Sequence, residues 1–139
     1  MDWKLEVVPL PVADVDRAKA FYTEELGFTC DVDHRAGDEF RVVQLTPPGS
    51  QCSVMVGVGI TDATPGAVKG LHIVVADIAA AHAELTGRGV DVAPIRHMTP
   101  NGWADGVDAA HTDYNSFADF ADPDGNTFVL QEHGHDSGA

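Results

Sequence analysis

The chain has 139 residues, the size of one ordinary domain or of two small modules sharing a core, and its 44 % hydrophobic content is enough to build that core. Acidic residues outnumber basic ones 22 to 8, a net charge of −14, so the chain cannot neutralise a run of phosphates; nucleic acid and anionic membrane surfaces are excluded as partners. No apolar run approaches the roughly 20 residues of a membrane span, and Met1-Asp2-Trp3-Lys4 opens no signal peptide, so a cytoplasmic protein is expected. Cys30 and Cys52 belong to no CxxC pair and no zinc spacing, and read as small buried hydrophobes in a reducing compartment.

In chain order, residues 4–12 read as a first strand, kept from the centre of a sheet by Pro9 and Pro11. Asp14 caps a helix whose apolar residues Val15, Ala18, Phe21, Tyr22 and Leu26 recur at helical spacing, and Gly27 ends it. Strands are expected near 28–33, 39–46 and 51–58, with Pro47-Pro48-Gly49-Ser50 as the turn between the last two. A polar linker covers 60–69. A strand over Leu71, Ile73 and Val75 follows, then a helix capped by Asp77 that carries Ile78, Ala81 and Leu85 and ends at Gly87 and Gly89. A strand is expected near 90–94 and a long loop over 96–115. Strands near 116–121 and 127–132 flank the turn Asp122-Pro123-Asp124-Gly125-Asn126, and 133–139 read as a frayed tail.

The order strand, Asp-capped helix, glycine, three strands occurs twice. Asp14 matches Asp77 and Val7 matches Gly70 at one offset; Gly49 matches Gly125 at a larger one, the extra residues falling in the 96–115 loop. The expected fold is therefore α+β, a single domain of two βαβββ modules (about 4–59 and 70–132) forming one curved, mostly antiparallel sheet with a concave ligand cavity. Strand alternation places Val8, Leu10, Val12, Leu71, Ile73, Val75, Val54, Val56, Phe128 and Leu130 toward the core. It leaves Ser53, Met55, Gly70, His72, Val129 and Gln131 on the concave face and puts Glu132 on the other side.

Val12-Ala13-Asp14 leading to Ala20-Phe21-Tyr22 and Leu26-Gly27-Phe28, then Val75-Ala76-Asp77-Ile78 and Phe120-Ala121-Asp122-Pro123-Asp124-Gly125-Asn126, resemble the vicinal oxygen chelate superfamily of glyoxalases, bleomycin-resistance proteins and extradiol dioxygenases, over about residues 4–132. The resemblance implies paired modules, a small-molecule cavity and a likeness to homodimers. In metal-using members four inward positions supply His and Glu ligands; here those positions hold Val7, Ser53, Gly70 and Val129. Two valines, a glycine and one hydroxyl are not a donor set for a divalent cation, so no metal is expected at the family site and no cofactor is expected.

One step further along the same strands lie Pro9, Met55, His72 and Gln131, an imidazole and an amide among apolar neighbours. His72 reads either as a hydrogen-bonding or acid–base residue of a ligand cavity or as a pocket-facing histidine that does no chemistry. Trp103, in a polar Gly/Asp loop, either closes over an apolar ligand or packs that loop down. His133-Gly134-His135-Asp136 has local metal-binding spacing and reads as an adventitious site. No GxSxG, P-loop, GxGxxG or HExxH motif is present. The expected function is binding of a small organic molecule in the manner of the glyoxalase/bleomycin-resistance proteins, with His72, Gln131, Ser53, Met55 and Trp103 as ligand-binding residues. The alternative is an isomerase, lyase or dioxygenase acting through His72 or a relocated metal site.

Overall fold

The computed structural model describes residues 1–136, which form two compact units: Met1–Val68 with Asp122–Asn126, and Lys69–Ala121 with the chain from Thr127 onward. The first unit contains β1 (Val7–Pro9), α1 (Val15–Ala20) running into a π-helical turn (Phe21–Glu25), β2 (Thr29–Ala36), β3 (Phe40–Thr46) and β4 (Ser53–Val58). Its sheet has the order β1-β4-β3-β2, with β1 parallel to β4 and the other pairs antiparallel. The second unit contains β5 (Leu71–Val75), α2 (Ile78–Gly87), β6 (Arg96–Thr99), β7 (Gly102–Asp105), β8 (Ser116–Ala121) and β9 (Thr127–Glu132), in the order β5-β9-β8-β6-β7. Here β5 is parallel to β9 and every other pair is antiparallel. Each unit thus pairs its first strand with its last across a crossover that contains the helix, and the second adds β7.

Both helices begin where a carboxylate meets otherwise unbonded amides. Asp14 and Asp77 are extended, at φ −127° and −137°, and their side chains accept from the amides of Arg17 and Ala80. After Ala20 the first helix widens: the Leu26 amide bonds the Phe21 carbonyl at 3.1 Å, a π turn, and the Phe28 amide returns to the Tyr22 carbonyl at 2.8 Å. This wider turn lets the consecutive residues Phe21 and Tyr22 both reach the interior, edge to face with centroids 5.2 Å apart. The first core is completed by Leu10, Ala18, Val43, Leu45 and Val56, all fully buried. The second gathers Ile78, Ala118, Phe120, Phe128 and Leu130, with the Phe120 and Phe128 rings stacked at 5.2 Å. Of the expected core residues of α2, Ile78 is buried, whereas Ala81 and Leu85 are half-buried.

The strand expected over 4–12 is shorter, at Val7–Pro9, although the Leu10 amide still reaches the Met55 carbonyl at 2.8 Å. Residues 90–94 hold no strand; the third element of the second unit lies at 96–99 instead. The expected 96–115 loop opens with the β6–β7 hairpin, turned at Pro100-Asn101, where the Thr99 hydroxyl accepts from the Asn101 amide and donates to the Gly102 carbonyl. Of the tail, 133–135 are hydrogen-bonded, the His133 amide to the Val75 carbonyl at 3.0 Å; residues 137–139 lie outside the described residues. Cys30 and Cys52 are free and half-buried. Among the described residues no helix is long and apolar enough to cross a membrane.

Edge strand β2 carries a charged cluster that also anchors α1. Arg41 grips Asp33 in two parallel bonds of 3.0 and 2.9 Å and reaches Asp16 at 2.8 Å, while Lys19 donates to Asp33 at 2.8 Å. The bonds from Arg41, then Lys19, hold the Asp33 carboxyl far below the usual carboxylate range, and Arg41 also lowers Asp16. In the second unit bonds from Asn115, then from the Ala110 amide and Thr112, hold Asp108 down to about 2. A carboxyl whose folded pKa lies below its unfolded one contributes stability that is complete above the unfolded value and lost as the pH falls toward the folded one. The thermal unfolding midpoint is therefore expected to stay level down to about pH 4.5 and to fall between about pH 4 and pH 2, with part of that slope removed in Asp33→Asn. A midpoint that rises on acidification would contradict this.

Candidate functional site

In the second unit one sheet face is packed and the other is open. Ser116, Ala118, Phe120, Phe128, Leu130 and Glu132 point to the packed side and are buried. Their neighbours in sequence line the open face, and strand register orders them into rungs. Val74, Gln131, Phe117 and Arg96 form one rung across β5, β9, β8 and β6. His72, Val129 and Asp119 form the next. Met98 and Trp103 are paired beside Arg96 at the β7 edge.

At one end, His72 Nδ1 is 2.8 Å from Gln131 Oε1, and Gln131 Nε2 donates to the Tyr114 carbonyl at 3.0 Å. Because that carbonyl can only accept, the amide orientation is set, and the amide oxygen faces His72. His72 therefore carries a proton on Nδ1, and in its neutral form Nε2 is the acceptor. At the other end Trp103 is 54 % exposed, meets Phe117 edge to face at 5.5 Å and lies under the Arg96 guanidinium, 4.7 Å from the ring centroid. Arg96 also pairs with Asp119 Oδ2 at 3.1 Å, while Asp119 Oδ1 is shut off from solvent with no hydrogen-bond partner among the described residues. Val74 and Met98, 50 % and 44 % exposed, add apolar surface to the same face.

The expected residues His72 and Gln131 are thus in direct contact, and Trp103 shares their sheet. Four strand spacings separate β5 from β7, about 19 Å, so His72 and Trp103 sit at opposite ends of one surface. Ser53 and Met55 share a face of β4 in the first unit, opposite Val7 and Pro9. Ser53 is buried and its hydroxyl shares a 2.7 Å bond with Thr46, which also donates to Asp31. Arg96, Met98 and Asp119 are not among the residues expected from sequence; the alternation of 96–99 points to the first two only when that stretch is a strand.

At the four positions where the superfamily holds a metal, the side chains do not fit one: Val7 and Val129 have no donor, Gly70 has no side chain, and the Ser53 hydroxyl is already engaged.

Two βαβββ units, each with its first and last strands parallel, define a class of small α+β proteins. The chain belongs to the Glyoxalase/Bleomycin resistance protein/Dioxygenase superfamily, whose family model matches residues 4–130. It is similar to the crystal structure of TnmS3, an antibiotic binding protein from Streptomyces sp. CB03234, with 30 % identity, 95 % of this chain and 97 % of that chain covered, and a TM-score of 0.74. It is also similar to a superfamily member from Sphaerobacter thermophilus DSM 20745, with 30 % identity, 95 % and 98 % covered, and a TM-score of 0.73. The uncharacterized protein YetH of Bacillus subtilis (strain 168) is 27 % identical over 130 residues, which cover 93 % of this chain and 98 % of that protein.

Proposed function

We propose that the protein binds a small, partly apolar organic molecule on the open face of the second sheet and does so without the superfamily metal. The observation that carries the reading is the rung of Gln131, Phe117 and Arg96 between the His72 acceptor and the exposed Trp103, a wide apolar surface with a few polar groups of known donor sense. The antibiotic-binding description of TnmS3 supports the same class of ligand. The face suits a molecule with fused aromatic rings, one edge stacked on Trp103 and a hydrogen-bond donor offered to His72 Nε2. A net charge of −14 favours a cationic ligand over an anionic one at long range. In this reading the protein is taken as a cytoplasmic homodimer.

A thermal-shift and calorimetric screen with fused-ring aromatic compounds tests it. A bound compound should raise the unfolding midpoint, Trp103→Ala should weaken its binding about 10-fold, and His72→Ala about 5-fold. Binding unchanged in both variants would move the site elsewhere. A second reading, an isomerase, lyase or dioxygenase acting through His72, is favoured by a His72 Nε2 that has no hydrogen-bond partner among the described residues, and is separated by following the ligand: turnover lost in His72→Ala supports catalysis, and an unaltered ligand supports sequestration.

A further inference from the structure

On the face of β9 opposite Gln131, Glu132 is 1 % exposed. A buried carboxylate needs partners for both oxygens. Oε2 accepts from the Ile78 amide at 3.0 Å, at the start of the ten-residue helix α2. Oε1 is 2.7 Å from His111 Nδ1. His135 brings its Nδ1 to 3.9 Å from Oε2 and 3.2 Å from the Ala76 carbonyl. The His111 and His135 rings lie parallel, with centroids 3.6 Å apart. One ligand atom from each of the three residues falls within 4.8 Å of the others.

The loop that delivers His111 is held in an unfavourable conformation. His111 and Tyr114, neither a glycine, have φ of 48° and 65°. Backbone of this kind persists where the surroundings hold it, and it gathers at working sites. The surroundings here are the tail and β9: the Tyr114 amide bonds the Glu132 carbonyl at 2.7 Å, and the Gly134 amide bonds Asp113 at 2.9 Å.

We propose that His111, Glu132 and His135 form a divalent-metal site, unrelated to the superfamily's ligand positions. Two imidazoles and one carboxylate are the donors that hold Zn²⁺ and its neighbours in the transition series, with the remaining position open to water. Tetrahedral donors about 2.1 Å from one ion lie about 3.4 Å apart, so atoms now within 4.8 Å of one another close by up to about 1.4 Å. Glu132 is the fixed anchor. Closure turns the histidine side chains, 35 % and 18 % exposed, away from their present bonds to Glu132 and the Ala76 carbonyl. The ion takes the place of the proton between His111 and Glu132, and it ties the 106–115 loop and the chain after β9 to the start of α2. The site lies on the packed side of the sheet and does not rest on the ligand-binding reading above.

Untagged full-length protein, stripped by chelation and dialysed, is titrated with Zn²⁺ against a chromophoric competitor. The parallel variants are His111→Gln, His135→Gln and His133→Gln. The expected result is one Zn²⁺ per chain, with the first two variants weakened by more than the about 10- to 100-fold that a second-sphere loss costs, and His133→Gln within about 2-fold of wild type. Co²⁺ bound in place of Zn²⁺ should give a visible absorption band that both weakened variants lose. Binding unaffected by His111→Gln and His135→Gln, or reduced equally by His133→Gln, identifies an adventitious tail ion only and overturns the proposal, as does wild-type protein that takes up no Zn²⁺.

Discussion

Asp122→Ala is expected to lower the unfolding free energy by about 3–5 kcal/mol. Asp122 is the hub of a buried network in the first unit. Its Oδ2 accepts from the Tyr22 hydroxyl at 2.8 Å and from Asn126 Nδ2 at 2.8 Å; its Oδ1 accepts from the amides of Asp124 at 3.0 Å and Asn126 at 2.9 Å. Alanine would leave all four donors without their acceptor, and the hydroxyl of a fully buried tyrosine has no water to turn to. Asn126 would lose orientation as well, although it also donates to the Pro11 carbonyl and accepts from the Val68 amide. Tyr22→Phe removes one donor and should cost only about 1–2 kcal/mol. Burial, then the charge of Asp122, pushes the Tyr22 hydroxyl well above its ordinary range. Such a group adds stability that is complete below the unfolded value, about pH 10, and lost as the pH rises beyond it; Tyr22→Phe should flatten the alkaline limb. Chemical denaturation of the three proteins decides the ranking. An Asp122→Ala protein within about 1 kcal/mol of wild type would mean that these bonds are not what holds the turn.

The repeat was readable because its punctuation is chemical. An aspartate that caps a helix and a glycine that ends it are local requirements, so Asp14, Asp77 and Gly27 mark the two crossovers without reference to anything distant. The inner turns were harder. The π turn at 21–25 leaves no local signal, because the preference for it comes from burying both Phe21 and Tyr22. The β6–β7 hairpin reads as loop in the sequence because Arg96-His97-Met98-Thr99 and Gly102-Trp103-Ala104-Asp105 hold few branched residues and put a charge on each strand. Their stability comes from pairing with β8, which the segment itself does not display.

The candidate site divides along the same line. Alternation alone put His72 and Gln131 on one face, and the face is open. Alternation also put Glu132 on the opposite face, where it could be set aside as a ligand for that cavity. The same argument could not supply His111, which reaches Glu132 through a left-handed backbone 21 residues earlier in the chain. A residue without β-propensity and without glycine's freedom at that φ carries no mark of its position. The Tyr22–Asp122 bond, spanning 100 residues, was equally invisible: the Asp-Pro-Asp-Gly-Asn turn announced itself as a turn and not as the partner of a buried phenol.

Gly66→Ala is expected to cost about 3 kcal/mol, in two parts that a control separates. Gly66 has φ +83°, which adds about 1–2 kcal/mol for any residue with a Cβ. The Cβ would also stand 2.2 Å from the Asp124 carbonyl oxygen, and the contact is with backbone, so no side chain can swing aside. Separating them by an ångström or more displaces the 122–126 turn or breaks the 3.1 Å bond from the Gly66 amide to the Pro11 carbonyl, an overpacking cost of about 1–3 kcal/mol. Gly37 has a similar φ of +67° with nothing within 4 Å, so Gly37→Ala carries the conformational part alone and should cost about 1 kcal/mol. Equal losses in the two variants would show that the turn gives way freely. A larger loss at Gly66 would show that the Asp122 network and this close approach hold the same turn from two sides. In that case the double variant Gly66→Ala/Asp122→Ala should lose less than the two single losses added together, because the second change finds the turn already released.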